Sequence, residues 1–173
     1  LTEISVDEAK TEIYKNDSII FEKLGCVPRT FCYPYNALND TILEIASRDR
    51  IGTRVAEKGI GTNSTDENLN EWIETLKRER DWGIAMIHGI NYGYDAFTSP
   101  DILWRHFDEV YAQADSIWVA TFAEVCAYTK EQKAVELTVE KTRCKIKIVP
   151  TLALDSNLFA EPLTMVVEKA NVK

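Results

Sequence analysis

Residues 81–97 read D-W-G-I-A-M-I-H-G-I-N-Y-G-Y-D-A-F. Trp82 to Ile87 is an apolar run long enough for one buried strand, and it ends on His88. Gly89, Asn91, Gly93 and Asp95 follow as turn formers. A strand that delivers a side chain into such a loop is how α/β folds commonly position chemistry. Only two histidines occur in the chain, so His88 is a scarce group. The competing interpretation is a histidine that only hydrogen-bonds at a strand end.

Working outward, helices and strands alternate. Ser5 to Glu8 is a capping box, and apolar residues at Val6, Ala9, Ile13, Ile20 and Leu24 predict a helix over 6–24, stopped by Gly25. Thr30 to Tyr35 predicts a strand that leaves its sheet at Pro34, which cannot donate to a ladder. Leu38, Ile42 and Ala46 predict a helix over roughly 38–48, and Arg50 to Ala56 a strand, with Arg54 polar inside it. GIGTNSTDEN is a loop. Thr65 or Ser64 then caps a helix with the stripe Leu69, Trp72, Ile73 and Leu76. Ser99-Pro100 opens another, with the stripe Leu103, His106, Phe107, Val110 and Ala114, which makes His106 a core histidine. Ser116 to Thr121 predicts a strand, and Thr121 to Glu124 a second capping box opening a helix to about Tyr128. From Ala134 the period falls to two, and Leu163 to Val167 offers a last strand. The pattern predicts an α/β fold with parallel strands and crossover helices over residues 1–132, and a small antiparallel β appendage over 133–173.

The chain has 173 residues and a net charge of -8, which disfavours nucleic acid and anionic membranes as partners. No apolar run approaches the ~20 residues of a membrane span. The opening LTEISVDEAK has neither an initiator Met nor a signal peptide, and reads as a fragment or processed product. Cys26, Cys32, Cys126 and Cys144 show no C-x-x-C spacing, so they read as idle or buried thiols. The N-x-S/T sequons at Asn16, Asn39 and Asn63 matter only in a secretory pathway that glycosylates.

ISVDEAKTEI (4–13), GCVPRTFCYPY (25–35), the MIHG around His88 and IWVATFAEVCAY (117–128) together resemble the polysaccharide deacetylases of the NodB-homology type. The resemblance covers residues 1 to about 135. It implies a partial distorted (β/α) barrel and a zinc-dependent hydrolase that removes acetyl groups from glycans of the N-acetylglucosamine type. It also implies a bacterial envelope or secreted setting. The family's base and metal-ligand motifs would lie upstream of Leu1, so the resemblance gives this chain no zinc ligands and little activity alone. A half-barrel of this kind would pair with another copy or with its missing N-terminal half.

By the same resemblance, the family's Arg-x-Pro-Tyr motif falls on Cys32, Tyr33, Pro34 and Tyr35, with the Tyr35 N–H helping to form an oxyanion hole. Cys32 replaces the Arg, and Arg54 is a substitute for it. The Asp/Trp motif has Trp72 or Asp81-Trp82 as candidates. The Leu-x-His motif falls on Met86, Ile87 and His88, with Met86 flooring the acetyl pocket and His88 protonating the leaving amine. Tyr92, Tyr94 and Asp95 would then face the sugar, although a loop packed on its own aromatics would look the same. Two rivals remain. One is a deacetylase-like module that binds glycan without chemistry. The other is a glycosidase, for which only Asp81 and Asp95 offer an acid pair.

Overall fold

In the computed structural model, the described residues are 1–167. The elements are α1 (Val6–Leu24), β1 (Thr30–Cys32), a 3₁₀ turn (Pro34–Asn36), α2 (Asp40–Ser47), β2 (Gly52–Arg54), β3 (Lys58–Gly59), α3 (Asp66–Glu79), β4 (Ala85–Met86), α4 (Pro100–Ala112), α5 (Phe122–Ala134), β5 (Val135–Lys141) and β6 (Ile146–Leu152). The strands form three two-stranded sheets, β1 with β2, β3 with β4 and β5 with β6. Among the described residues none closes into a barrel. The chain divides into two compact units. One joins Leu1–Thr53 to the residues from Thr121 onward, and the other is Arg54–Ala120. The division expected at 132/133 falls where α5 runs into β5.

In the discontinuous unit, α1 begins at the expected capping box: Ser5 Oγ accepts from the Glu8 N–H, and the Glu8 carboxylate accepts from the Ser5 N–H at 3.0 Å. It ends at Gly25 in the left-handed conformation. Of its predicted stripe only Ala9 and Ile13 are buried; Val6 and Leu24 stay exposed. Ala9 and Ile13 pack with Tyr33 and with Ile42, Ile45 and Ala46 of α2. A second cluster joins Ile51 to Cys126 and Ala127 of α5 and to Phe159. Arg50 is buried beside the first cluster. Its guanidinium pairs with Asp17 of α1, donates to the Ala46 carbonyl at 2.9 Å, and lies 5.3 Å from the centre of the Phe31 ring. The Glu161 N–H donates to the buried Glu131 carboxylate at 3.0 Å, tying the later chain to α5.

The contiguous unit is built on a β3–α3–β4 crossover with parallel strands, Lys58 opposite Ala85 and Gly59 opposite Met86. Thr65 caps α3 and Ser99 caps α4. Ile60, Leu69, Phe97 and Leu103 form the core. Arg105 of α4 forks onto the Asp66 carboxylate, with Nε at 3.1 and 3.0 Å from its two oxygens, and so pins the start of α3. His106 is 6% exposed, stacked at 6.3 Å on Trp72, and is the core histidine that the helical stripe implies.

Four sequence expectations are corrected. The strand over Trp82–Ile87 shrinks to Ala85–Met86, and Trp82 and Ile87 are partly exposed. Among the described residues its partner is β3, whose Gly59 begins the stretch expected to be loop. Upstream, Gly83 lies against α3: a Cβ there would come within 2.4 Å of Leu76 Cδ1 and 2.7 Å of Trp72 Cζ2. The strand over Ser116–Thr121 does not form. Trp118 and Val119 are exposed, and Thr121 is taken as the cap of α5. No strand forms over Leu163–Val167, where Met165, Val166 and Val167 are exposed. Finally, α5 runs past Tyr128 to Ala134, because no helix breaker intervenes between them.

Candidate functional site

The parallel pairing of β3 and β4 fixes the start of the His88 loop. The Lys58 N–H donates to the Ile84 carbonyl at 2.8 Å and the Ile60 N–H to the Met86 carbonyl at 3.0 Å. Met86 is half-buried, and two residues later His88 is exposed at the strand end. Its imidazole stands edge-on to the Tyr94 ring, with centroids 5.1 Å apart and planes at 77°. Tyr92 and Tyr94 are 87% and 80% exposed. Large aromatic rings held in water present flat apolar faces with a polar tip, the chemistry that sugar rings stack on.

The far end of the loop is clamped. Asp95 Oδ1 accepts from the Thr62 N–H at 3.0 Å, and the Thr62 hydroxyl donates to the Ala96 carbonyl at 2.8 Å. Gly61 allows this approach, since a Cβ there would sit 2.0 Å from the Asp95 carbonyl oxygen. Asp95 takes a positive φ of 51°. One of its oxygens therefore holds the loop, which is a different task from meeting a sugar. Gly61 and Thr62 were not legible as site residues, because their partner lies 33 positions downstream. Arg54 sits beside Glu57, Nε to carboxylate 3.3 Å, an ion pair between near neighbours that are both largely buried.

The other three candidates belong to the discontinuous unit. Tyr33 is 2% exposed, edge-on to Phe31, and its hydroxyl donates to Thr53 Oγ1 at 3.0 Å. It is a core residue that supports the turn. Pro34 opens the 3₁₀ turn, and Tyr35, fully exposed, takes φ 57° and ψ 20°. Asn36 follows at φ 55°. A bulky aromatic in the left-handed region is strained by about 1–2 kcal/mol, so the cost falls on Tyr35, whereas asparagine adopts this region readily. Cys32, where the family resemblance expects Arg, is exposed.

The zinc that the resemblance implies needs three or four convergent donors. Among the described residues no three His, Cys, Asp or Glu side chains are grouped to supply them, so these residues do not fit a zinc site by themselves. No helix among them is long and apolar enough to cross a membrane. Compared with protein-family models, with curated proteins and with solved structures, the chain matches none.

Proposed function

We propose that the chain is part of a hydrolase of the polysaccharide deacetylase kind, with a partial distorted (β/α) barrel, acting on acetylated glycans such as those of N-acetylglucosamine. The observation that supports this reading best is the His88 loop. An exposed imidazole follows a strand end, stands against an exposed tyrosine ring, and sits on a loop whose far end is clamped by Thr62. His88 as imidazolium would hand a proton to the leaving amine nitrogen, while Tyr92 and Tyr94 would hold the sugar. The second role implied by resemblance, the Tyr35 peptide as oxyanion donor, falls in the other unit. The strained backbone at Tyr35 supports it, since such strain persists where a site requires it. A bacterial envelope or secreted setting goes with this reading.

The test is titration of the chain with acetylated and deacetylated chito-oligosaccharides, followed by NMR. Shifts at His88, Tyr92 and Tyr94 with the acetylated form alone are expected. No shift at these residues with either form would overturn the reading. In a longer chain that carries the base and metal motifs, His88→Ala should lower kcat by about 10²–10⁴.

A second reading is a glycan-binding module without chemistry. The exposure of both loop tyrosines and Cys32 in the Arg position favour it. It requires glycan binding with no acetate released by any longer chain.

A further inference from the structure

The β5–β6 hairpin has one protected edge and one open edge. Its turn is closed by the Thr142 N–H donating to the Lys145 carbonyl at 2.8 Å. In an antiparallel ladder, hydrogen-bonded and non-hydrogen-bonded pairs alternate. Counting from that turn through the register, Glu140–Lys147, Thr138–Val149 and Glu136–Thr151 exchange hydrogen bonds. Lys141–Ile146, Val139–Ile148, Leu137–Pro150 and Val135–Leu152 do not, so the peptide groups of these residues point outward. On the outer edge of β6, Pro150 has no N–H to offer. On the outer edge of β5, Leu137, Val139 and Lys141 all have one, while the Val135 N–H already donates to the Glu131 carbonyl at the end of α5. Among the described residues the sheet contains these two strands alone.

The same register puts Val135, Leu137 and Val139 on one face with Ile146, Ile148, Pro150 and Leu152. Leu137, Val139 and Ile146 are each about half exposed. A two-stranded hairpin is marginal by itself, and three or more strands are needed for independent stability. An uncovered apolar face next to an open edge is the arrangement that recruits another strand.

We infer that the β5 edge pairs with the β5 edge of a second copy, antiparallel about a two-fold axis, giving the strand order β6–β5–β5–β6. Charge narrows the register. Centred on Thr138, the pairing would set Glu136 opposite Glu140 of the other copy twice; centred on Glu140, it would set that residue against itself. Centred on Val139, it sets Thr138 opposite Glu140 and Glu136 opposite Thr142, with Leu137 beside the stem of Lys141, and no like charges meet. This register also brings the cationic end of each hairpin, Lys141 and Arg143, toward the Glu136 end of the other. Pro150 on both outer edges stops further addition, so the assembly closes as a dimer and does not grow into a fibre. Two seven-residue strands make an interface well below the ~1,000 Å² of a stable complex, so the dimer dissociates on dilution.

The experiment is sedimentation of the full chain across about 10 µM to 1 mM, a span wide enough to see mass action, with hydrogen exchange at both ends. Dimer at the high end is expected, with the amides of Leu137, Val139 and Lys141 slowed only there. Val139→Pro removes an outward N–H without breaking a β5–β6 hydrogen bond and should leave a monomer. Ile148→Pro does the same on the opposite edge and should leave the dimer intact. Far-UV circular dichroism and the exchange of the Glu136, Thr138 and Glu140 amides report whether each variant keeps its hairpin. If Val139→Pro fails that check, the wild-type exchange pattern decides. A monomer at every concentration with fast exchange at all three outward amides overturns the inference. So does a dimer that survives Val139→Pro with its hairpin intact, which would place the contact elsewhere.

Discussion

The imidazole of His88 meets the edge of the Tyr94 ring at 5.1 Å, and nothing further along the loop buries either group. The two side chains are therefore positioned by each other and by the backbone. Tyr94→Ala should shift the His88 ring protons by removing the neighbouring ring current, and should weaken chito-oligosaccharide binding. Tyr94→Phe should preserve both. NMR titration of the two variants checks this, and an unchanged His88 spectrum in Tyr94→Ala would show that the contact does not persist in solution.

Arg50 is a buried guanidinium paired with the carboxylate of Asp17. Removing one partner of a buried pair leaves a charge with no compensation, at about 3 kcal/mol. Asp17→Ala should therefore lower the urea midpoint substantially. Arg50→Met together with Asp17→Ala should recover much of the loss, because an apolar side chain of similar length suits a site lined by Phe31 and Ala46. Equal loss in the single and double variants would contradict this.

His106 gives the contiguous unit a pH dependence. Burial holds its imidazole below the ordinary value of 6.5, and among the described residues its Nδ1 has no hydrogen-bond partner. The folded state thus favours the neutral ring. The associated stability is complete above about 6.5 and is lost as pH falls through the lower folded value. Chemical denaturation between pH 7.5 and 5 should show this decline, and His106→Phe should flatten it. The capping carboxylates Glu8 and Glu124 titrate separately: their hydrogen bonds to Ser5 and Thr121 hold them below 4.5, so their contribution fades only in more acid solution.

Gly61 and Gly83 both exclude a side chain, for different reasons. At Gly61 the obstacle is the Asp95 carbonyl, which is backbone and part of the clamp; at Gly83 it is the ends of Leu76 and Trp72. Overpacking costs about 1–3 kcal/mol. Gly61→Ala should fall at or above the top of that range and disorder the His88 loop. Gly83→Ala should fall lower, because side-chain ends can rotate away. Thermal denaturation with loop amide exchange distinguishes the two.

Helices in this chain were legible because their signals are local. Ser5 with Glu8, Thr65, Ser99 with Pro100, and Thr121 with Glu124 each mark a start within four residues, and each does so in the structure. Strands were legible at nearly full length in the β5–β6 hairpin, where the partner lies across a two-residue turn, whereas Thr30–Tyr35 and Arg50–Ala56 form only the shorter β1 and β2. The runs at Trp82–Ile87 and Ser116–Thr121 are apolar enough for strands, but a strand exists only beside another. Lys58–Gly59 offers the first run two residues, and among the described residues the second has no strand beside it. The same limit applies to side-chain roles. Period-two alternation places Phe31 and Tyr33 together, and they do meet edge-on, but nothing near Tyr33 in sequence announces Thr53 as its hydroxyl partner. Asp95 looked available for ligand because Thr62 is remote in sequence.

The interleaved course of the chain sets an order on its synthesis. The cluster of Ala9, Ile13, Tyr33, Ile42, Ile45 and Ala46 draws only on the first 53 residues and can assemble as soon as they emerge from the ribosome. Ile51 cannot complete its own cluster until Cys126, Ala127 and Phe159 have been made. Between these moments the whole of Arg54–Ala120 must be translated, which takes roughly 3–13 s at ordinary elongation rates. The contiguous unit is thus the first to have all of its residues, while Ile51 waits uncovered and open to chaperone capture.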